Sequence, residues 1–401
     1  MTPTSPWTAA IVAAALAAAV AGVLAWTLRR SGVVGGARTA AILGGILAGV
    51  LLGPMVLGNA APEAARLLFT GAPIEHRTLA EQQAEHDRQI AALRASGVTT
   101  DAIDEIRQRH DAAILPLRQT LDRALAAHHA RLNLIVAAVA GLVMLSAAPL
   151  ALPGSTAHWR RVSVTLTHTG VRALFAGFAA FIAAAGPPAI VASLFGSGPL
   201  TAAAVGTVFA VPAVTAALPG ASLLICTGGL LAAFTAIGVV AWSLELGIVM
   251  TGVALGLMLA LGADSIPRRL LRRVCSMQVL CVLLPALTAL IVVRVDPSEL
   301  LTTRNAWVAL IVAMLWSADG RWFVGWLACR GIGPDRPTEP GPWARSARMV
   351  DIGASVMQLV AVHLAFAAAM VGPEMLLAAA VGALTIELTR PLRDHLVARM
   401  N

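Results

Sequence analysis

The chain has 401 residues, of which 58% are hydrophobic and 12% charged, with a mean hydropathy of +0.79. A water-soluble protein of this length needs far more polar surface, so this composition excludes an ordinary soluble domain and predicts an integral membrane protein. The net charge of +8 is carried wholly by arginine, with no lysine. In a membrane chain it points to basic cytoplasmic loops, not to nucleic acid, so no nucleic-acid partner is predicted.

A helix needs about 20 apolar residues to cross the hydrocarbon core. In chain order, the candidate spans cover about 7–28, 38–59, 131–153, 166–195, 199–218, 221–243, 246–263, 275–294, 303–330, 350–372 and 373–390. The first is read as a retained span and not a cleaved signal peptide, because Arg29 and Arg30 follow its apolar run instead of preceding it. Gly186-Pro187-Pro188 breaks the fourth span, Pro212 breaks the fifth, and Ser317 to Arg321 interrupts the ninth. Such breaks are tolerated at membrane depth only where protein or a water-filled cavity satisfies the freed backbone groups.

Arginine clusters follow alternate spans: Arg29, Arg30 and Arg38; Arg160 and Arg161; Arg268 to Arg273; Arg330 to Arg348; and Arg390 to Arg399. Placing the N-terminus outside and the C-terminus in the cytoplasm puts all of them inside a cell (inner) membrane. The predicted class is therefore all-α: a polytopic transmembrane bundle in contact with the lipid bilayer. Its divisions are 1–72 (two spans), 73–130 (a soluble insertion), 131–264 (the rest of a first repeat and a linking span) and 265–401 (a second repeat).

The insertion differs in composition. Nine of the 21 acidic residues lie between Glu75 and Asp122, and Ile103, Ile106, Ile114, Leu117, Leu121 and Leu125 recur at helical spacing. Ser96 to Asp101 joins a helix stop to a capping start, which predicts a helical hairpin on the outer side, its second arm kinked at Pro116. Apolar stripes need burial, so the hairpin is predicted to offer a docking surface for a protein partner or a second copy. It also holds five of the nine histidines, His76, His86, His110, His128 and His129, but no i, i+4 histidine pair, and no metal is assigned. The four cysteines, Cys226, Cys275, Cys281 and Cys329, lack ligand spacing and read as core thiols. No nucleophile–base arrangement or phosphate loop occurs, so neither an enzyme nor a cofactor is predicted.

Several strings resemble the monovalent cation:proton antiporter superfamily, in the family's order. The segment Arg38 to Gly58, with Leu47-Ala48-Gly49-Val50-Leu51-Leu52-Gly53-Pro54, resembles an early core helix of that family. Gly170 to Phe178 resembles the next core helix, 202–218 the first broken helix, Asp319 to Arg330 the basic-residue helix, and 348–358 the start of a second broken helix. The resemblance implies inverted repeats with two broken helices crossing at the midplane, exchange of sodium or potassium for protons, and a homodimer.

Exchange requires anionic oxygen ligands and a group that can be protonated. Between Arg123 and Leu244 there is no Asp or Glu, and the family's core aspartates fall on Phe234-Thr235-Ala236. Thr235 and Pro212 therefore mark broken-helix positions without carboxylates. Arg321 matches the family's basic position. The ionisable candidates for an ion or proton site are Asp319, Arg321, Asp351, His363 and Glu387, with His363 the deepest; Glu374 and Glu245 read as span-end and loop charges. Three functions follow: an exchanger with its titratable site moved to the C-terminal half, a transport-inactive homologue acting as an interaction or regulatory subunit through the hairpin, or a carrier for another solute.

Overall fold

The structure is a computed structural model. It describes residues 6–34, 36–96, 100–151, 182, 185–194, 198–199, 202, 206, 248–249, 282–300, 302, 304–316, 354–369 and 371–400. The described residues are helical, with no strand among them. Four helices are long and apolar enough to cross a membrane: Trp7–Arg30, Ala37–Gly58, Ile103–Val143 and Pro373–Leu392. They correspond to the first, second, third and eleventh predicted spans. The spans predicted over 275–294, 303–330 and 350–372 are described in part, and helical there. The break at Pro212, the interruption at 317–321, most of the segment from 152 to 281 and the predicted inverted repeats lie outside the described residues.

Helix α1 (Pro6–Arg30) shows how the apolar residues are sorted. Ala10, Ala13, Ala17, Ala21 and Ala25 fall at helical spacing on one buried face, while Ile11, Val12, Val23 and Trp26 are exposed. Small residues inside and large apolar residues outside is the opposite of what water selects. It is what a lipid-facing helix needs, since close backbone packing replaces the hydrophobic drive between helices.

Helix α2 (Ala37–Leu52) lies between α1 and α5 (Leu284–Val292) and packs on both. Its glycines set the spacing. A Cβ on Gly44 would lie 2.6 Å from the backbone nitrogen of Ala25 in α1, and one on Gly49 would lie 2.6 Å from the Cβ of Val292 in α5. All nine residues of α5 are buried, including Thr288, whose hydroxyl donates to the Leu284 carbonyl at 2.9 Å. A helix apolar on every side is buried on every side. Beyond α2 the chain passes through Pro54–Gly58, a short helix Pro62–Ala65 and Arg66–Thr70 to reach the insertion.

The insertion is two helices, α3 (Pro73–Ala95) and α4 (Thr100–Ala151), packed on each other. Ile90, Ile103, Ile114 and Leu121 are buried. The two arms pack on each other, which accounts for the burial of these positions within the hairpin. Helix α4 continues through Pro116 without interruption for 52 residues. At 1.5 Å per residue that is about 78 Å, more than twice the thickness of a hydrocarbon core. If its apolar C-terminal part crosses a bilayer, its polar N-terminal part must stand outside it.

The C-terminal half contributes α6 (Arg304–Leu315), α7 (Ala354–Ala367) and α8 (Pro373–Met400). Helices α7 and α8 are joined by a short turn that contains Ala369 at φ 55°. They pack side by side as a helical hairpin. Helix α7 also touches α4 and α5, and α8 touches α2, α5 and α6, so one apolar core runs from α1 to α8.

Candidate functional site

Two polar clusters are enclosed in this core. The first joins α7 to α8. Glu387, on the last turns of the apolar stretch of α8, is only 5% exposed. Its Oε1 accepts a hydrogen bond of 2.6 Å from the Ser355 hydroxyl at the start of α7, and Arg390 Nη1 reaches its Oε2 at 3.5 Å. One turn further along α7, Gln358 donates to the Ala379 carbonyl at 2.9 Å, so the two helices are pinned by polar contacts on one face. A carboxylate held this way can exchange a proton or give oxygen ligands to a cation.

The second cluster gathers three elements at the root of the insertion. His363, on α7, is 1% exposed. Its Nε2 is enclosed and has no hydrogen-bond partner. The Asn133 side-chain oxygen accepts from Nη1 of Arg294, which lies just beyond α5. The Arg294 guanidinium carbon lies 5.4 Å from the centre of the Phe366 ring, within cation–π reach. Phe366 is three residues from His363, on the same face of α7. Nearby, His128 Nε2 lies 3.2 Å from the Leu68 carbonyl, which ties the base of α4 to the segment leading into the insertion.

Of the sequence candidates, the structure therefore places His363 and Glu387 in the buried interior, in separate places. Asp319, Arg321, Asp351, Pro212 and Thr235 lie outside the described residues. Glu374 is in the first turn of α8, where a carboxylate suits the positive end of a helix. In the insertion, the His86 and His110 rings stack across the two arms with centres 3.6 Å apart and planes 2° apart. Face-to-face rings do not converge on a common point, and among the described residues no group of three or more His, Cys, Asp or Glu is placed to hold a metal ion.

Sequence reasoning missed Arg294 and Asn133. One signal could have found the arginine. In the topology predicted from the sequence, Arg294 would end the eighth span on the arginine-poor side, where the positive-inside pattern does not account for it. Asn133 carried no such signal, since a single amide at the edge of an apolar run says nothing until its partner is known.

Comparison with protein-family models, with curated proteins and with solved structures gives no match for this chain.

Proposed function

We propose that this chain is a multi-span transporter of the cell membrane that exchanges a monovalent cation for protons. In this reading Glu387 takes the part that core aspartates take in the antiporter superfamily, whose strings the sequence resembles. One observation carries it: a buried carboxylate between two largely apolar helices, with a hydroxyl bonded to it. An ionisable group inside membrane-spanning helices is costly to keep and marks ion or proton pathways. The absence of Asp and Glu from 123–244 moves the expected chemistry towards this end of the chain.

The test is proton flux in everted vesicles carrying the full chain. Adding Na⁺, K⁺ or Li⁺ should collapse an imposed pH gradient, and Glu387→Gln should abolish that response while the protein still reaches the membrane. No response to any of the three cations would overturn the exchanger reading.

A second reading has the insertion in its favour. Its arms pack on each other, and α4 is far longer than a bilayer requires, which gives a projecting arm suited to contact with another protein. A transport-inactive homologue acting through that arm would show no flux. It would also co-purify with a defined partner that is lost on deletion of 73–130.

A further inference from the structure

A cavity of about 430 Å³ runs along the C-terminal half of α1, closed by Ala37 at the start of α2 and by Val282 just before α5. Its wall on α1 is made of small residues, Ala18, Ala19 and Gly22, and its rim holds Trp26 and Arg29. These positions recur at helical spacing and so share one side of the helix. Val23 and Trp26 line the cavity and are also exposed, so it opens onto the apolar outer side of α1. For a membrane-spanning helix, that side faces lipid chains.

Length and charge both say what fits there. From Ala18 to Arg29 the helix rises about 17 Å at 1.5 Å per residue. One leaflet supplies about half of a 30 Å hydrocarbon core, so the groove is as long as one acyl chain. Trp26 and Arg29 then fall where aromatic and basic residues mark the membrane surface. The Arg30 guanidinium carbon lies 5.1 Å from the centre of the Trp26 ring, which leaves Arg29 as the arginine on the rim. Among the described residues no acid lines the cavity, and the chain has none before Glu63. The carbonyls at the end of α1 favour a cation in its last turn, but that accounts for the charge and not for the cavity beside it.

We propose that this cavity binds an anionic glycerophospholipid, with one acyl chain against Ala18, Ala19 and Gly22 and the phosphate at Arg29. An apolar groove alone takes any chain, and an arginine alone attracts any anion. Their order along α1, apolar towards the middle of the bilayer and basic at its surface, is the order of the parts of a lipid. Basic pockets at the ends of membrane helices hold anionic headgroups in this way. The site is separate from the Ser355–Glu387 pair and does not depend on the exchanger reading.

The experiment titrates the purified, delipidated full chain in detergent with dioleoyl phosphatidylglycerol, and separately with dioleoyl phosphatidylcholine, which has the same chains and no net charge. Native mass spectrometry counts the bound lipids and gives the affinities. The parent chain should bind its first phosphatidylglycerol about fivefold or more tightly than phosphatidylcholine, the factor set by one basic side chain at a membrane surface. Arg29→Gln should erase that preference, and Arg29→Lys, which keeps the charge, should retain most of it. Ala19→Phe puts a ring in the groove and should weaken both lipids about fivefold or more, as overpacking does. Ala19 and Arg29 are exposed, so both variants should fold, with thermal midpoints in lipid-free detergent as the check. Arg66→Gln, beyond the far end of α2, and Ile11→Phe, exposed on α1 outside the cavity, should change neither affinity. Equal affinity for the two lipids in the parent chain would overturn the proposal. So would a preference that survives Arg29→Gln, lipid binding unchanged by Ala19→Phe, or displacement of phosphatidylglycerol by an equal concentration of inorganic phosphate. Dimers that Ala19→Phe takes apart while lipid affinity stays the same would give the groove to a second copy of the chain instead.

Discussion

Gly45 of α2 and Thr288 of α5 meet so closely that a Cβ on the glycine would lie 2.6 Å from the threonine Cβ and from the Pro285 carbonyl oxygen. Neither neighbour can swing aside. One atom is on a side-chain branch point whose hydroxyl is committed to Leu284, and the other belongs to the backbone. Gly45→Ala should therefore push α2 and α5 apart, at a cost of about 1–3 kcal/mol as in overpacked cores. A lowered thermal midpoint of the detergent-solubilised chain would show it. Leu47, two residues on in the same helix and exposed, is the natural control. Leu47→Ala exchanges one strong helix former for another away from the α5 contact, and should change stability by less than about 0.5 kcal/mol.

Gly71 makes the same kind of contact at the root of the insertion, with a backbone reason added. Its φ of 88° and ψ of 177° belong to a region that residues with a side chain rarely enter, and a Cβ there would lie 2.5 Å from Cγ of His128. Gly71→Ala should strain the turn and displace His128 from Leu68. The predicted readout is local. Limited proteolysis should cut faster between 66 and 76, and amide exchange should rise in the last turns before α3, while the contact between α2 and α5 is unaffected.

The exposed ion pairs along the hairpin should matter little. Arg77 and Glu81 are 2.9 Å apart, but their side chains are 80% and 66% exposed, so water screens the attraction and ordering two long side chains opposes it. Glu81→Gln is expected to change the stability of the insertion by less than about 0.5 kcal/mol. Raising the salt concentration should have as small an effect. A hairpin that opened on either treatment would mean that charge, and not the buried Ile90, Ile103, Ile114 and Leu121, holds its arms together.

What could be read from the sequence follows from where its signals are strong. The apolar runs that become α1, α2 and α8 are long, and lipid imposes a fixed length on them, so their positions were legible to within a few residues. The hairpin was legible because its polar composition and the Ser96 to Asp101 stop–start signal both differ from the spans. His363 was legible as well, since an ionisable residue in the centre of an apolar run has few places to go but inward. The pairings were not. Whether the Ile103 to Leu121 stripe packs on its own hairpin or on another protein depends on how two arms meet, and periodicity does not encode that. Arg294 looked like a residue at the edge of a span until the fold brought Asn133 to it from a helix 161 positions away. The glycines of α2 stand out in the sequence as part of a family-like string, while their physical role, close approach to Ala25, Thr288 and Val292, needed the neighbouring helices.

Two partners compete for the Glu387 carboxylate, and they can be told apart by substitution. The Ser355 hydroxyl is at 2.6 Å and buried, whereas Arg390 is at 3.5 Å with its side chain 31% exposed, so the serine bond has the better geometry and the drier surroundings. Ser355→Ala should leave a buried oxygen unsatisfied and cost about 1–3 kcal/mol, while Ser355→Thr, which keeps a hydroxyl, should cost less. Arg390→Gln should cost less than about 1 kcal/mol, because a long, partly solvated contact contributes little. Thermal unfolding of these variants and the parent chain in one detergent would measure this, with Glu387→Gln alone and a Ser355→Ala, Glu387→Gln double variant to close the cycle. If the serine bond is what holds the carboxylate, the loss from Ser355→Ala should shrink once Glu387 is already an amide. A larger loss from Arg390→Gln than from Ser355→Ala would instead make Glu387 half of a structural ion pair, and the enclosed carboxylate would no longer support a transport role.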